Sequence, residues 1–414
     1  MGLATAACNS FFEVERPGVV DGETIDPVIA AAEFANSAYQ NMLVAYGGVI
    51  IHGAWLTNEA RVGDTYPTRN EFGRRSISAR NSTLEDEVWF PLGRAMATSQ
   101  EALENMEALA DKDKNLNVAR AALASGFTLQ FMAETMCTGV IDPAGAEAST
   151  QQILARAAER FKKAEQVAAT AYAAKLDTTN AKAFMNAAKV GLGRAYLQAG
   201  KKAEAAAAVA GVPADFVFNA QYVDDPANRS RLGNRPFFYV TSRVSLVTGP
   251  EWRAMADAGD PRITYQLVKD SKGAAVKAQD GELDMYKQLK FAKWDSPIRL
   301  ASGLEARYIA AEAGDDAAKL ALINERRAAG KQTVFASADS KAIMMELMEQ
   351  RGRDFWLEGK RLGDWRRQDA TEDFPHILKS TGQYYKPAAG AMGNATCIPL
   401  TEFEKDANPS FPKK

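Results

Sequence analysis

Between residues 151 and 211 small and apolar residues recur every three or four positions through three successive stretches, and no other feature limits the fold as tightly. Ile153, Ala157, Phe161, Ala164, Ala168 and Tyr172 fall on one face of a helix. "DTTN" then supplies capping residues, and Phe184, Ala188, Gly191 and Ala195 trace a second face. Gly200 is placed to close that helix, and "KKAEAAAAVAG" supplies a third before Pro213. Gly191, Gly193, Ala195 and Ala199 let neighbouring backbones approach closely, as in tetratricopeptide-like helix pairs. Such a chain stacks helix on helix.

The same texture extends to both sides. Asp26 and Pro27 form an N-cap and first-turn pair for an Ala-rich helix from Val28 to Tyr46, which Gly47-Gly48 is expected to interrupt. Helix is also expected through "VWFPLGRAMATSQEALENMEALA" and from Leu116 to Met136, where Leu123, Phe127 and Phe131 recur at four-residue steps. Three more helical stretches follow Ser296. Between Pro213 and Ser296, glycine, proline, asparagine and aromatic residues break every helical period. The expected fold is therefore mainly α: a tetratricopeptide-like helical-repeat scaffold carrying an irregular, partly β insertion lobe. Its regions are a tether at 1–26, a helical-repeat region at 27–212 with a loop at 57–86, the irregular lobe at 213–296, and a C-terminal helical region with an extended tail at 297–414.

Composition excludes several functions. The 50 basic residues almost cancel the 52 acidic ones, so no broad electropositive face is available for nucleic acid. His52 and His376 are the only histidines, and Cys8, Cys137 and Cys397 include no C-x-x-C pair, so no metal-site spacing exists. The acidic turns at 111–117 and 224–230 lack the EF-hand spacing, and Gly191-x-Gly193 lies mid-helix where no dinucleotide loop forms. No cofactor is implied. The longest apolar run, 42–56, is too short to span a bilayer.

The densest cluster of charge is "RGRDFWLEGKRLGDWRR" at 351–367. On a helix Glu349 can pair with Arg353 and Glu358 with Arg361, while Asp364 lies within a turn of Arg361 and Arg367. Trp356, Leu357, Leu362 and Trp365 add apolar surface between the charges. Carboxylates interleaved with cations repel a polyanion, and no nucleophile or histidine stands nearby, so the segment reads as scaffold whose arginines bridge neighbouring segments.

Four phrases in order, "RLASGLEARYIAAEA", "LINERRAAG", "ELMEQRGRDFWLEGKRLGDWRR" and "CIPLTEFEKDANPSF", resemble the C-terminal half of the SusD/RagB family of outer-membrane nutrient-binding lipoproteins. The family's Glu-Gly-x-Arg turn and Asp-x-x-Arg match Glu358-Gly359, Arg361, Asp364 and Arg367 or Arg366. Its closing phrases match Ile398-Pro399 and Asp406-Ala407-Asn408-Pro409. The resemblance implies a non-enzymatic protein tethered to the outer membrane of a Gram-negative bacterium by a lipid on Cys8. It also implies that the protein sits as a lid on a SusC-like TonB-dependent transporter and captures oligosaccharides or peptides. "LATAAC" is compatible with the end of a lipoprotein signal, although Thr5 stands where leucine is usual.

Sugars are recognised by aromatic faces together with amide, carboxylate and guanidinium groups, held on loops of a rigid scaffold. Two stretches carry that mixture. The first is the loop with Asn58, Asp64, Tyr66 and Arg69, flanked by Trp55 and Trp89. The second is "NRPFFYVTSR", with Phe238, Tyr239 and, shortly after, Trp252. For the tryptophans an interior packing role stands beside the ligand role, while Asp64, Pro67 and Arg69 suggest that Tyr66 is exposed. Replacing either Tyr66 or Trp252 is expected to spare thermal stability. A tetratricopeptide-type peptide adaptor and a glycoside hydrolase remain as other classes. The hydrolase would need paired carboxylates, for which Asp224-Asp225 and Asp315-Asp316 are the candidates.

Overall fold

The computed structural model describes residues 26–412. The first helix, α1 (Pro27–Leu56), is capped by the Asp26 side chain, which accepts from the Val28 N–H at 2.9 Å. A loop follows with β1 (Arg61–Val62), α2 (Pro67–Gly73) and the single turn α3 (Ser82–Leu84). A π-helical turn, Glu85–Trp89, then leads into α4 (Phe90–Asn105). Next come α5 (Leu116–Thr135), the hairpin of β2 (Thr138–Val140) and β3 (Glu147–Ser149), and α6 (Thr150–Ala173), α7 (Thr178–Gln198) and α8 (Lys202–Val209). The irregular lobe holds β4 (Val217–Ala220), α9 (Arg229–Leu232), α10 (Arg235–Thr241), β5 (Leu246–Val247), α11 (Pro250–Asp257), β6 (Tyr265–Leu267) and β7 (Tyr286–Gln288). The chain finishes with β8 (Ile298–Ser302), α12 (Gly303–Ala313), α13 (Asp316–Ala329), α14 (Ser340–Asp354), α15 (Arg361–Arg367) and α16 (Glu402–Ala407).

The helices form a packed series, α1 against α4 and α5, α5 against α6, and α6 against α7. Phe161 of α6 is wedged between glycines. A Cβ at Gly126 of α5 or at Gly191 of α7 would overlap its ring, so these small residues set how closely the three helices approach. Ile153, Ala157, Phe161, Ala164 and Ala168 are buried as their spacing predicts. Tyr172 is not; it emerges at the end of α6. Gly200 adopts φ 78° just past α7, the left-handed residue that its position suggested.

Gly47-Gly48 does not interrupt α1, which runs unbroken to Leu56. Both glycines are there for contact: a Cβ at Gly47 would overlap the Arg235 side chain, and one at Gly48 the Glu87 carbonyl oxygen. The cost of glycine within a helix is offset by packing of two other segments directly onto its backbone.

Among the described residues every sheet has two antiparallel strands, and two of the sheets tie distant parts of the chain together. Arg61 pairs with Val247, joining the loop after α1 to the irregular lobe, and Val217 pairs with Ser302, joining that lobe to the C-terminal helices. Cys137 at the end of α5 and Cys397 in the tail form a disulfide across 260 residues, beside an N–H of Ile398 that donates to Thr135 at 2.8 Å. Cys8 lies outside the described residues.

The charged segment at 351–367 is interior. Asp364 accepts from Arg351 at 2.8 Å and from Arg367 at 2.9 Å, and Arg367 also meets Glu312 at 2.7 Å. Glu305 is shared by Lys360 at 3.0 Å and Arg351 at 3.4 Å. Arg366 donates to the Ala133 and Met136 carbonyls at the end of α5, fastening α15 there. The predicted Glu349–Arg353 pair forms at 2.6 Å. The predicted Glu358–Arg361 pair does not, because Leu357 and Gly359 take positive φ and break the helix between them. Glu358 turns instead to Arg299 at 2.7 Å and Lys290 at 2.8 Å, and Arg361 caps the Pro375 carbonyl.

Candidate functional site

The loop after α1 and helix α10 meet over Glu87. Asp64 accepts from the Tyr66 N–H at 2.9 Å and from Arg69 Nη1 at 2.7 Å, which fixes the guanidinium at the entrance to α2. Arg69 Nη2 reaches Glu87 at 2.7 Å, and the Tyr239 hydroxyl donates to the other Glu87 oxygen. His52 Nε2 lies 3.4 Å from that same oxygen. Glu87 can reach all of these because it sits on the π-helical turn, whose extra residue swings the carboxylate under the loop. Burial pushes the Glu87 carboxyl up, but the nearby His52 and the bonds from Arg69 and Tyr239 outweigh that and hold it well below the usual carboxylate range. Burial and the neighbouring Glu87 charge push the Tyr239 hydroxyl up, so it stays a donor.

From this anchor, rings and guanidinium groups alternate in a file. The Arg69 guanidinium carbon lies 4.8 Å from the centre of the Tyr66 ring and 5.7 Å from that of Tyr239. Arg235 lies 5.4 Å from the Tyr239 ring and 4.7 Å from Phe238, and Arg243 lies 5.7 Å from Phe238. Phe237 and Phe238 both contact Trp294, with ring centres 5.4 and 5.9 Å apart, and Arg229 lies 5.1 Å from Trp294. Arg69 and Tyr239 are buried, Arg235, Phe237 and Phe238 are half-buried, and Arg243 is exposed. Tyr66 is 49% exposed at one end, and Trp294 is half-buried at the other, the one tryptophan of the six outside the interior. Such a strip offers ring faces for C–H surfaces and in-plane N–H groups for hydroxyl or carboxylate oxygens.

The structure brings five of the eight sequence-derived candidates into this strip: Asp64, Tyr66, Arg69, Phe238 and Tyr239. Asn58 and Trp252 lie elsewhere. Trp252 Nε1 donates to the Asn58 carbonyl at 2.7 Å, and its ring stacks on Trp356 at 5.9 Å, inside the junction between α11 and the charged segment. Trp252 is 1% exposed, so the expectation that its removal spares stability is corrected: truncation there opens a cavity. Trp89 is buried in a third place, its Nε1 donating to Glu404 of α16 at 3.1 Å. Sequence reasoning passed over Glu87, Arg235 and Trp294. For Trp294 a signal existed, an aromatic residue set between turn formers in "KFAKWDSP"; for Glu87 none did, since the π-helical turn has no sequence pattern.

The paired carboxylates have structural roles. Asp225 accepts the Ala227 N–H at 3.1 Å within a turn, Asp224 pairs with Arg229, Asp315 caps α13 by accepting from Ala318 at 2.8 Å, and Asp316 meets Lys319 at 3.2 Å. Among the described residues no group of His, Cys, Asp and Glu side chains could hold a metal ion, and no helix is long and apolar enough to cross a membrane.

Solved structures match along nearly the whole chain. A SusD superfamily protein from Parabacteroides distasonis aligns with TM-score 0.68 at 15% identity, covering 94% of this chain and 99% of its own. The chain has the SusD-like fold. A SusD-like carbohydrate binding protein from Bacteroides vulgatus aligns with TM-score 0.64 at 15% identity, covering 93% of this chain and 98% of its own. Surface glycan-binding protein A from Bacteroides uniformis aligns with TM-score 0.63 at 12% identity, covering 93% and 99% respectively. No family model and no curated protein matches the sequence. The SusD-like fold thus rests on three-dimensional structure and on the short C-terminal phrases quoted above.

Proposed function

We propose that this SusD-like protein is a non-enzymatic, surface-exposed nutrient-binding lipoprotein that captures oligosaccharides as the lid of a SusC-like TonB-dependent transporter. On this reading a lipid on Cys8 holds it to the outer membrane. The helices of 27–212 act as a tetratricopeptide-like scaffold, and the lobe at 213–296, with the loop at 57–86, presents the ligand site. The observation that carries the reading is the end-to-end likeness to SusD-like structures, two of which are described as carbohydrate- or glycan-binding.

The strip from Tyr66 to Trp294 is the proposed ligand site. Asp64, Glu87, Arg69 and Tyr239 hold its buried part rigid, while Tyr66, Phe237, Phe238 and Trp294 offer ring surface. Held rings lose little freedom when a sugar stacks on them, which favours binding. A glycan array with the purified chain tests the reading directly: binding to one class of oligosaccharide, lost in Trp294→Ala, is expected. An array with no bound glycan, or a pull-down from native membranes that yields only soluble partners in place of a large β-barrel protein, would overturn it.

A further inference from the structure

A groove of about 500 Å³ opens between the end of α6, the first half of α7 and the segment before β4. None of the strip residues belongs to it. Tyr172, Thr178, Thr179, Lys182, Asn186 and Asp215 supply its polar lining, with Phe216 and Val217 as apolar wall. Asn186 sets it apart from an ordinary surface cleft. The residue as a whole is only 4% exposed, no protein group among the described residues hydrogen-bonds its amide, and the amide atoms keep access to solvent where the residue lines the groove. An amide without a protein partner, on a residue otherwise covered and reachable where it lines a groove, presents a donor and an acceptor to an external partner.

The rest of the lining says what that partner is. Tyr172, which the helical spacing assigns to the core face of α6, stands 45% exposed at the groove's edge. Its exposure is fixed by the turn into α7, where Lys175 and Asp177 both take positive φ and Asp177 caps the helix by accepting from the Asn180 N–H at 3.2 Å. That turn places Thr178 and Thr179 in the first turn of α7, on the same groove as the ring. Lys182 and Asp215 contribute one charge of each sign, and neither has an ion-pair partner among the described residues. The groove is thus electrically balanced, carries an open ring, and is lined by groups that both donate and accept.

We infer that this groove is a second saccharide-binding site, for a neutral sugar unit whose ring stacks on Tyr172 and whose hydroxyls pair with the Asn186 amide and with Thr178, Thr179, Lys182 and Asp215. The inference rests on the reading of the protein as a saccharide binder. An uncharged, hydroxyl-dense ligand matches the mixture; a charged one would leave Lys182 or Asp215 opposed to it.

Calorimetric titration of the full chain with neutral malto-, xylo-, cello- and manno-hexaose, in separate experiments, tests it. Wild type is expected to bind one of these with two sites per chain. Tyr172→Ala and Asn186→Leu should each remove one site or weaken it at least tenfold, while Trp294→Ala removes the other. Side-chain amide resonances of Asn186 should shift on titration in Trp294→Ala, which keeps the groove intact and guards against a folding defect in Asn186→Leu. Binding that Trp294→Ala abolishes completely, with Tyr172→Ala at wild-type affinity and stoichiometry and the Asn186 resonances unmoved, overturns the groove and leaves the strip standing. No binding of any hexaose to wild type overturns the groove for neutral sugars, and the glycan array then decides the broader reading separately.

Discussion

At residues 351–367 the cations enter the interior and are answered there: Arg351, Arg353, Lys360 and Arg367 pair with carboxylates, while Arg361 and Arg366 donate to main-chain carbonyls. Along the strip from Tyr66 to Trp294 the arginines also lie against rings, but only Arg69 is buried between carboxylates. Arg235 and Arg243 rest on Phe238 with no carboxylate partner among the described residues. Both regions use guanidinium groups and aromatic rings. The difference is that a buried cation without a partner carries a large desolvation cost, so each cation of the first region is held by a carboxylate or a main-chain carbonyl, whereas an exposed or half-exposed cation can wait unpaired.

The comparison breaks most visibly in stability. Asp364→Ala strands Arg351 and Arg367 without the carboxylate they share, and should cost about 3–5 kcal/mol in chemical denaturation. A variant as stable as wild type would show that the segment is no strut. Trp252→Ala removes a buried indole stacked on Trp356 and is expected to cost about 3–5 kcal/mol, whereas Tyr66→Ala should stay within about 0.5 kcal/mol of wild type. Equal losses for the two would erase the distinction between interior and strip.

A smaller effect comes from the bond that holds the tail to α5. Cys137→Ser with Cys397→Ser should lower stability by about 2–4 kcal/mol, read as a shift in the denaturant midpoint, and leave saccharide affinity unchanged. Smaller still is the pH dependence set by Glu59, which lies beneath the charged segment and accepts from the Leu357 N–H at 3.1 Å. Burial pushes its carboxyl up from 4.5 to about 7, against the pull of Arg361. The folded state therefore binds a proton that the unfolded state has released. The associated stability is present below pH 4.5 and is lost as pH rises to about 7. Relative to wild type, Glu59→Gln should flatten the decline in unfolding free energy across that window, by on the order of 1–3 kcal/mol. An identical pH profile in the two proteins would rule Glu59 out as the source.

How far the sequence reveals this molecule depends on whether a contact repeats. The helical faces of α5, α6 and α7 are legible because burial recurs along each helix, and the Glu349–Arg353 pair because four residues make one turn. The Glu358–Arg361 pair fails because two positive-φ residues break the period unseen. Gly47-Gly48 looks like a break and is instead a docking place for Arg235 and Glu87, partners 188 and 39 positions away that no local pattern announces. In the candidate site, Asp64, Tyr66 and Arg69 could be gathered from one loop, and Phe238 and Tyr239 from another. Their meeting over Glu87, and the exclusion of Trp252 from the strip, follow from the tertiary fold alone.

The most direct test of the division of labour between strut and strip is calorimetric titration of Trp294→Ala with the oligosaccharide that the glycan array selects. At least tenfold weaker binding with an unchanged melting temperature is the predicted result. Wild-type affinity in this variant, or a loss of affinity that only follows a loss of folding, would contradict it.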